Sequence, residues 1–318
     1  MKLPFHLPIQ SSTMSSSSDN KYYYLAGQDV RHSIAPTVHQ TVADSLELPW
    51  KFQLLDVPSV EDVIITFRRP DFAGGVVTMP YKQTIMAHLN ELDDVATTLN
   101  ACNNVYLSPS GKLVGSNTDW VGILECLRSA SPDGQGKPAL IIGAGGAARA
   151  AVYALLTHLN CETIYIINRL ASEVEALQAD AKKYSATGKV PKLIHIQSME
   201  QARAIPAEES PFYIVGTVPD FEPKTETELE AASMLRYFFE SGEKGVFLDM
   251  CFNPRNTRSL KAAREKGWPC VEGINIIGWQ IGQQYTNWAG EEKAKQIPHE
   301  KAWEALRTAA DKNPFINK

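Results

Sequence analysis

Two segments of the chain carry residue types that can move a proton. The run GGVVTMPYK, residues 74–82, is an apolar stretch typical of a buried strand, which ends on Pro80 with Lys82 almost directly after it. The segment GSNTDWVG, residues 115–122, places Asp119 where a strand hairpin passes into an apolar helix. A lysine and a carboxylate that meet in a cleft can share a proton, or one can orient the other for proton transfer.

Each residue also has an ordinary structural explanation. Lys82 fits a solvated position in the first turn of a helix over YKQTIMAHL, residues 81–89. Asp119 fits an acidic residue at the start of helix 120–130, with Thr118 as the N-cap. Taken singly, neither residue defines a site, so the interpretation depends on what else lies in the same cleft.

A glycine-rich turn joins a strand to a helix within LIIGAGGAARAAVYALL, residues 140–156. Gly143 permits the tight turn, Gly145 lets the backbone approach a pyrophosphate, and Ala148 allows close packing of helix on strand. The free N–H groups and the dipole at the helix start attract the anion. The pattern predicts a dinucleotide site, with a plain tight turn as the alternative. The residues of that site are Gly143, Ala144, Gly145, Gly146 and Ala147.

The end of the second strand, INRLASE over residues 167–173, bears on which dinucleotide binds. An acidic residue at this position would favour NAD, because it can bind the ribose hydroxyls. Asn168 and Arg169 stand there instead, and an arginine can pair with a 2′-phosphate or stack on adenine. Glu173, in contrast, would repel a phosphate. These residues taken alone leave NAD and NADP both open.

Hydrophobic periodicity predicts a first block of mixed elements. The expected strands are 22–26, 50–57 and 73–79, and the expected helices are 36–48, 59–67 with Ser59 as N-cap, and 81–89. A hairpin about Ser110-Gly111 is expected over residues 103–119. Helix 120–130 and the loop 131–138 then lead to a second block.

The second block alternates strands and helices regularly, which predicts a parallel doubly wound sheet. Its expected strands are 139–143, 163–168, 192–196, 212–216, 245–250 and 269–273. The chain is therefore predicted to be an α/β protein with two domains and a cleft between them. We expect a disordered tail at 1–20, a substrate domain at 21–119 and a dinucleotide domain at 120–273. Helices over 274–318 are expected to complete the first domain.

Composition excludes several other classes of function. The chain has 318 residues and a formal net charge of −5, without any Lys/Arg-rich run, so nothing favours nucleic acid as a partner. No apolar run approaches the roughly 20 residues of a membrane helix. The five cysteines are widely spaced without a CxxC, which predicts reduced thiols in a cytoplasmic protein and no metal site. The oligomeric state stays open.

With these motifs in order, the chain resembles the shikimate/quinate dehydrogenase family over roughly residues 22–290. RHSIAPTVHQ resembles the family's His-Ser-x-Ser-Pro segment, and VVTMPYK resembles its Val-Thr-x-Pro-x-Lys. ACNNVY resembles Gly-Ala-Val-Asn-Thr, and GSNTDWVG resembles Gly-x-Asn-Thr-Asp-x-x-Gly. GAGGAARA, INR, DMCFNP and GINIIGWQ follow in the family's order. NTDW, GTVPDFEP and CFNPRNT are most similar to the fungal quinate branch of the family.

The resemblance implies an active site in the cleft, with Lys82 as catalytic acid/base and Asp119 as its partner. Family members move a hydride between ring carbon C3 of a cyclic hydroxy acid and a nicotinamide. Thr217, after strand 212–216, would approach that nicotinamide. The residues implied to hold the hydroxyls and carboxylate of the substrate are Ser33, Thr78, Asn104 and Gln280.

Departures from the family pattern bear on the substrate and the cofactor. Ala35 stands where many shikimate enzymes have a second serine, and Phe252 where they often have a tyrosine. Loss of each hydroxyl weakens carboxylate binding by about 1 kcal/mol, which favours quinate with its added C1 hydroxyl. Leu170 and Glu173 depart from the NADP pattern and favour NAD.

We therefore expect NAD-dependent oxidation of quinate to 3-dehydroquinate, and also of shikimate to 3-dehydroshikimate. One alternative is an NADP-dependent shikimate dehydrogenase of aromatic amino-acid synthesis. The other is a non-catalytic regulator that binds quinate or shikimate, against which the retained Lys82 and Asp119 count.

Overall fold

The computed structural model of the protein describes residues 20–184 and 191–318. The tail predicted at 1–20 lies outside these residues except for Asn20. In the described part, two six-stranded sheets are flanked by helices, which confirms the predicted α/β fold.

The first sheet is mixed and has the strand order β2-β1-β3-β5-β6-β4. Its strands are β1 (Lys21–Gly27), β2 (Trp50–Asp56), β3 (Phe72–Val77), β4 (Glu91–Leu92), β5 (Asn104–Leu107) and β6 (Leu113–Ser116). Its helices are α1 (Ala35–Ser45), α2 (Val60–Phe67) and α3 (Asp94–Leu99). Strand β1 pairs in parallel with β2 and β3, whereas β5 is antiparallel to β3 and β6, as the predicted hairpin requires.

Alternation along β1 explains why helices cover both faces of this sheet. Tyr23 packs with Val42 of α1 on one face, and Tyr24 packs with Phe67 of α2 on the other. Successive side chains of a strand point to opposite faces, so one strand contributes to two cores. Ser59 caps α2 as predicted, since its side chain accepts a hydrogen bond from the amide of Asp62. This packing fixes the position of the neighbouring strand β3. Lys82 follows that strand in the chain.

The second sheet is entirely parallel and has the order β12-β11-β10-β7-β8-β9. Its strands are β7 (Ala139–Ile142), β8 (Thr163–Ile167), β9 (Lys192–Ile196), β10 (Tyr213–Gly216), β11 (Val246–Asp249) and β12 (Cys270–Glu272). Its helices are α4 (Asp119–Ala130), α5 (Gly146–Tyr153), α6 (Ala171–Ala181), α7 (Met199–Arg203), α8 (Glu226–Glu240) and α9 (Arg258–Glu265). The strand order reverses between β7 and β10, the position at which such sheets bind dinucleotides.

The C-terminal helices pack against the first sheet. They are α10 (Ile274–Ala289), α11 (Glu291–Ala294) and α12 (His299–Lys312). Ile281 and Tyr285 of α10 lie in the same core as Tyr23, whereas Ile276 lies in the core of the second sheet. Helix α10 therefore packs against both halves of the molecule. Helix α4 begins at Asp119, so the proposed division at residues 119/120 falls after the first residue of this helix and stays a proposal.

The helix predicted over residues 81–89 is wrong in type and length. Only a 3₁₀ turn forms there, over Thr84–His88. The carbonyl of Lys82 accepts a hydrogen bond from the amide of Cys102 at 2.7 Å instead of entering a helical ladder. The backbone of Lys82 is thereby fixed beside the segment that leads into β5.

Candidate active site

Lys82 and Asp119 form an ion pair in the described structure, so the fold brings the two residues together. Lys82 Nζ lies 2.5 Å from Asp119 Oδ2. The Asp119 side chain is 6% exposed and that of Lys82 15% exposed, so the carboxylate is buried and the lysine keeps some contact with solvent. A hydroxyl placed before Lys82 could therefore exchange a proton with Nζ.

Two amide side chains complete the surroundings of the Asp119 carboxylate. Asn103 Nδ2 and Gln280 Nε2 donate to Asp119 Oδ1 at 2.8 and 2.9 Å. Gln280 is held in turn by Gln284, one turn further along α10, whose Nε2 donates to Gln280 Oε1 at 3.0 Å. With Lys82 on Oδ2, three donors converge on one buried carboxylate, so its charge is compensated and its orientation is fixed.

Asn103 was missed by the sequence analysis, which pointed to Asn104. The side chain of Asn104 is fully buried, and its Oδ1 accepts from Asn287 Nδ2 at 3.0 Å. Successive side chains of an extended chain point to opposite sides. An alignment displaced by one residue therefore selects Asn104 where Asn103 faces the site. In the structure Asn100 has a left-handed conformation, with φ 51°, which suits the glycine of the family's Gly-Ala-Val-Asn-Thr motif. Aligning that glycine with Asn100 places the motif's asparagine on Asn103.

Ser33 and Thr78 lie on segments that flank the first sheet. Ser33 follows a 3₁₀ turn, and its Oγ accepts from the amide of Ala35 at 3.3 Å. Thr78 comes directly after β3 and is half-buried. Among the hydrogen bonds of the described residues, none joins either hydroxyl to Lys82 or Asp119. Their assignment as substrate ligands remains a proposal.

The glycine turn lies directly beside Lys82. Gly143 has φ 109°, and a Cβ there would come 2.5 Å from Thr217 Oγ1, so both backbone and space require glycine. A Cβ on Gly145 would meet nothing within 4 Å, which leaves room above the turn. At Gly146, the first residue of α5, a Cβ would lie 3.1 Å from Lys82 Cβ. A ligand bound over this turn would therefore reach the Lys82–Asp119 pair.

Neighbouring residues hold the turn in place. The amide and Oγ1 of Thr217 both donate to the carbonyl of Ile142, at 2.9 and 2.7 Å, which keeps the loop after β10 against Gly143. Ala144 and Ala148 are buried and Ala147 is half-buried. The small side chain of Ala148 permits the close approach of α5 to the sheet.

At the end of β8, each of the two residues proposed to meet the adenosine ribose already binds an acidic side chain of the protein. Asn168 Nδ2 donates to Glu173 Oε2 at 2.9 Å and to the carbonyl of Leu170 at 3.0 Å. Arg169 Nη1 lies 3.1 Å from Glu228 Oε1 at the start of α8. The guanidinium charge of Arg169 is therefore already paired within the protein.

Asp249, at the end of β11, is a buried acid whose pKa departs strongly from its ordinary value. Burial raises the pKa of Asp249 to about 7, although hydrogen bonds from Thr257 Oγ1 at 2.6 Å and from the amide of Cys251 at 3.2 Å act to lower it. The carboxyl group links the start of α9 to the loop after β11, so its protonation bears on the stability of this end of the sheet.

We expect the unfolding free energy of the wild-type protein to fall, compared with that of Asp249→Asn, as pH rises from about 4 to about 8. In this window the folded state retains a proton that the unfolded chain has released, so stability falls as pH rises. The difference is on the order of 4 kcal/mol over the full window. Urea unfolding of both proteins across this range measures it, and parallel pH profiles would contradict the assignment.

The structure places no metal centre or membrane span in the ranges that it covers. Within residues 20–184 and 191–318, no group of three or more His, Cys, Asp or Glu side chains is arranged to hold a metal ion. No helix in those ranges is long and apolar enough to cross a bilayer.

Comparison with known proteins places the chain among dehydrogenases of cyclic hydroxy acids. The family model described as shikimate dehydrogenase substrate binding domain matches residues 25–105. A quinate dehydrogenase of Emericella nidulans is 36% identical over 85% of this chain and 88% of that protein. The pentafunctional AROM polypeptide of Schizosaccharomyces japonicus is 33% identical over 89% of this chain, which spans only 18% of that polypeptide.

Solved structures share the fold over most of the chain. Shikimate dehydrogenase of Aquifex aeolicus has a TM-score of 0.73 at 25% identity, covering 92% of this chain and 100% of that one. Quinate dehydrogenase of Corynebacterium glutamicum in complex with NAD has a TM-score of 0.71 at 21% identity, covering 91% and 100%. The latter supports the fold alone.

A Rossmann-like sheet whose glycine turn adjoins a buried Lys–Asp pair defines an NAD(P)-dependent dehydrogenase. The sequence match to the Emericella nidulans protein covers most of both chains. The chain belongs to the shikimate/quinate dehydrogenase family.

Proposed function

We propose that the protein catalyses the reversible NAD-dependent oxidation of quinate to 3-dehydroquinate, and also of shikimate to 3-dehydroshikimate. The observation that carries the proposal is the Lys82–Asp119 pair packed directly against Gly146 of the glycine turn. The match to a protein named quinate dehydrogenase supports the choice of substrate. The free state of all five cysteines supports a cytoplasmic location.

The residues at the turn fit a nicotinamide dinucleotide, because Gly143 has a positive φ and the space above Gly145 is open. When bound, the nicotinamide accepts the hydride that leaves C3 of the substrate. In the oxidation, Lys82 acts as the neutral amine: its Nζ takes the proton of the C3 hydroxyl and becomes the ammonium ion that pairs with Asp119. In the reverse reaction this ammonium ion returns the proton to the substrate oxygen. Asp119 holds Lys82 in position. The products are thus the ketone, the reduced cofactor and one proton.

The surrounding residues orient the substrate and the pair. Asn103 and Gln280 fix the Asp119 carboxylate, and we propose Asn103 in place of Asn104 as the asparagine that faces the substrate. Ser33 and Thr78 are proposed to hold the carboxylate and hydroxyls.

The substrate preference is proposed from two side chains that lack hydroxyls. Ala35 is buried at the start of α1, and the ring of Phe252 lies with its centroid 5.3 Å from that of His32. Phe252 lies in the loop after β11 and His32 in the 3₁₀ turn before α1, so the two halves of the molecule are in contact at this edge. A pocket with fewer donors for the carboxylate favours a ligand with a further hydroxyl, which quinate has and shikimate lacks.

The preference for NAD is proposed from the ion pair of Arg169 with Glu228. Hydrogen bonds from the amides of Lys224 and Thr225 lower the pKa of Glu228, so this carboxylate remains charged and retains Arg169. Glu173 accepts a hydrogen bond from Asn168 and adds a second negative charge. A 2′-phosphate would meet no free cation from these residues and would be repelled by two carboxylates.

Replacing Glu228 by glutamine is expected to raise kcat/KM for NADP by about tenfold, because the neutral amide frees Arg169 for the 2′-phosphate. The glutamine oxygen can still accept from the Lys224 and Thr225 amides, so the start of α8 is preserved. Initial rates with NADP measure the effect. Glu226→Gln, in the same helical turn, is the control and should change nothing. Equal NADP rates in both variants would show that the ribose loop is wrongly placed.

Initial rates with quinate and with shikimate, each with NAD and with NADP, test the proposed function. Fastest turnover with quinate and NAD supports it. A second candidate, NADP-dependent oxidation of shikimate, is favoured by the likeness to a shikimate dehydrogenase solved in complex with NADP+, which is 26% identical with a TM-score of 0.71 and covers 92% of this chain and 96% of that one. Fastest turnover with shikimate and NADP would establish that candidate instead, and ligand binding without turnover would favour a regulator.

A further inference from the structure

Arg149 is a buried cation in α5 whose partners lie at the glycine turn. Only 3% of the residue is exposed. Its Nε and Nη2 lie 2.8 Å from Asp180 Oδ2, and its Nη1 donates to the carbonyls of Ala144 and Gly145 at 2.8 and 3.3 Å. Arginine is almost never fully buried unless it is paired, and here the pairing includes backbone of the turn itself.

These contacts fix the orientation of two peptide groups. In a trans peptide, the carbonyl of one residue and the N–H of the next lie in one plane and point in opposite directions. When Arg149 binds the carbonyls of Ala144 and Gly145, the N–H groups of Gly145 and Gly146 point away from Arg149. Amides pre-oriented in this way bind an anion without a cost of reorganisation.

Asp180 extends the same network to the segment that carries Asn103. Asn100 Nδ2 donates to both carboxylate oxygens of Asp180, at 3.2 and 3.4 Å, and Lys183 Nζ lies 3.3 Å from Oδ1. Asn100 precedes by three residues the Asn103 amide that binds Asp119. One buried carboxylate therefore connects the turn in the second sheet to the Asp119 pair of the first.

We infer that Arg149 is a positioning residue, which with Asp180 orients the phosphate-binding amides of the turn. Through Asn100, the same pair holds the turn in register with Lys82 and Asp119. This inference rests on the proposed function, since it takes a dinucleotide as the ligand of the turn.

Arg149→Lys is the test variant, because lysine retains the charge but loses the planar fork that reaches Asp180 and both carbonyls together. We expect the Kd for NAD, measured by isothermal titration calorimetry, to rise about tenfold, since only a point charge remains. The KM for quinate at saturating NAD should stay within about twofold, because the substrate ligands are untouched. Lys183→Met, which removes an exposed cation from the same carboxylate, should leave the Kd for NAD unchanged.

Thermal unfolding of each variant verifies that it is folded. A folded Arg149→Lys protein with the wild-type Kd for NAD would overturn the inference. If that variant does not fold, Asn100→Gly decides, because glycine keeps the left-handed backbone and removes only the bond to Asp180. A severalfold lower kcat then supports the coupling, and wild-type kcat and Kd overturn it. A wild-type protein that binds neither NAD nor NADP would instead overturn the proposed function itself.

Discussion

Lys82→Ala is expected to lower kcat for quinate oxidation by about 10²- to 10⁴-fold, the range over which positioned acid/base groups act. The variant removes the only group that we assign to accept the C3 hydroxyl proton. Alanine retains the Cβ that packs against Gly146, so the glycine turn should keep its shape and the Kd for NAD should be unchanged. Steady-state rates and calorimetric NAD binding measure the two quantities.

Lys112→Ala is the matched control for this variant. Lys112 forms an ion pair of similar length, 2.6 Å to Glu91, but 54% of its side chain is exposed and it lies directly before strand β6. Its loss should leave kcat unchanged. Wild-type-like turnover by Lys82→Ala would refute the role assigned to Lys82.

Asp119→Asn is expected to reduce both catalysis and stability. The NH2 group of the amide must face either Lys82 or the donors of Asn103 and Gln280, and the Lys82 charge loses its partner. Breaking one partner of a buried pair costs about 3 kcal/mol of unfolding free energy, and we expect kcat to fall by about 10²-fold as Lys82 loses its orientation. Urea unfolding and the pH profile of kcat/KM measure these effects.

The pH profile separates orientation of Lys82 from a general loss of structure. A changed profile in folded Asp119→Asn protein supports the assigned role, because a structural defect lowers the rate equally at every pH. Glu91→Gln, which breaks the exposed pair with Lys112, should leave the profile and the stability almost unchanged. An unaltered pH profile in Asp119→Asn would contradict the proposal that Asp119 orients Lys82 for proton transfer.

The sheets were predictable because their signals are local. Short apolar strands separated by turn residues identify the six parallel strands, and the glycines between β7 and α5 identify the turn. The 3₁₀ turn at Thr84–His88 was not predictable, because it depends on a hydrogen bond from Cys102, a residue distant in sequence, to Lys82. Periodicity reports which side chains are apolar and does not report such long-range backbone pairing.

The site was predictable in its motif residues and not in the choice between two neighbouring asparagines. Lys82, Asp119 and Gln280 carry motif signals, and the structure brings all three together. Asn103 and Asn104 are adjacent amides of the same type, so only the register set by Asn100 distinguishes them. Arg149 resembles an ordinary helical residue in the sequence, because Asp180, its charged partner, lies 31 residues further along the chain and becomes its neighbour only in the folded protein.

Transfer of deuterium from [3-²H]quinate to NAD, followed by mass spectrometry of the reduced cofactor, tests the central claim most directly. The account predicts one deuterium in each molecule of reduced cofactor formed by the wild-type protein, and formation of 3-dehydroquinate in equal amount. Reduced cofactor that carries no deuterium would contradict hydride transfer from C3, and with it the placement of Lys82 beside the C3 hydroxyl.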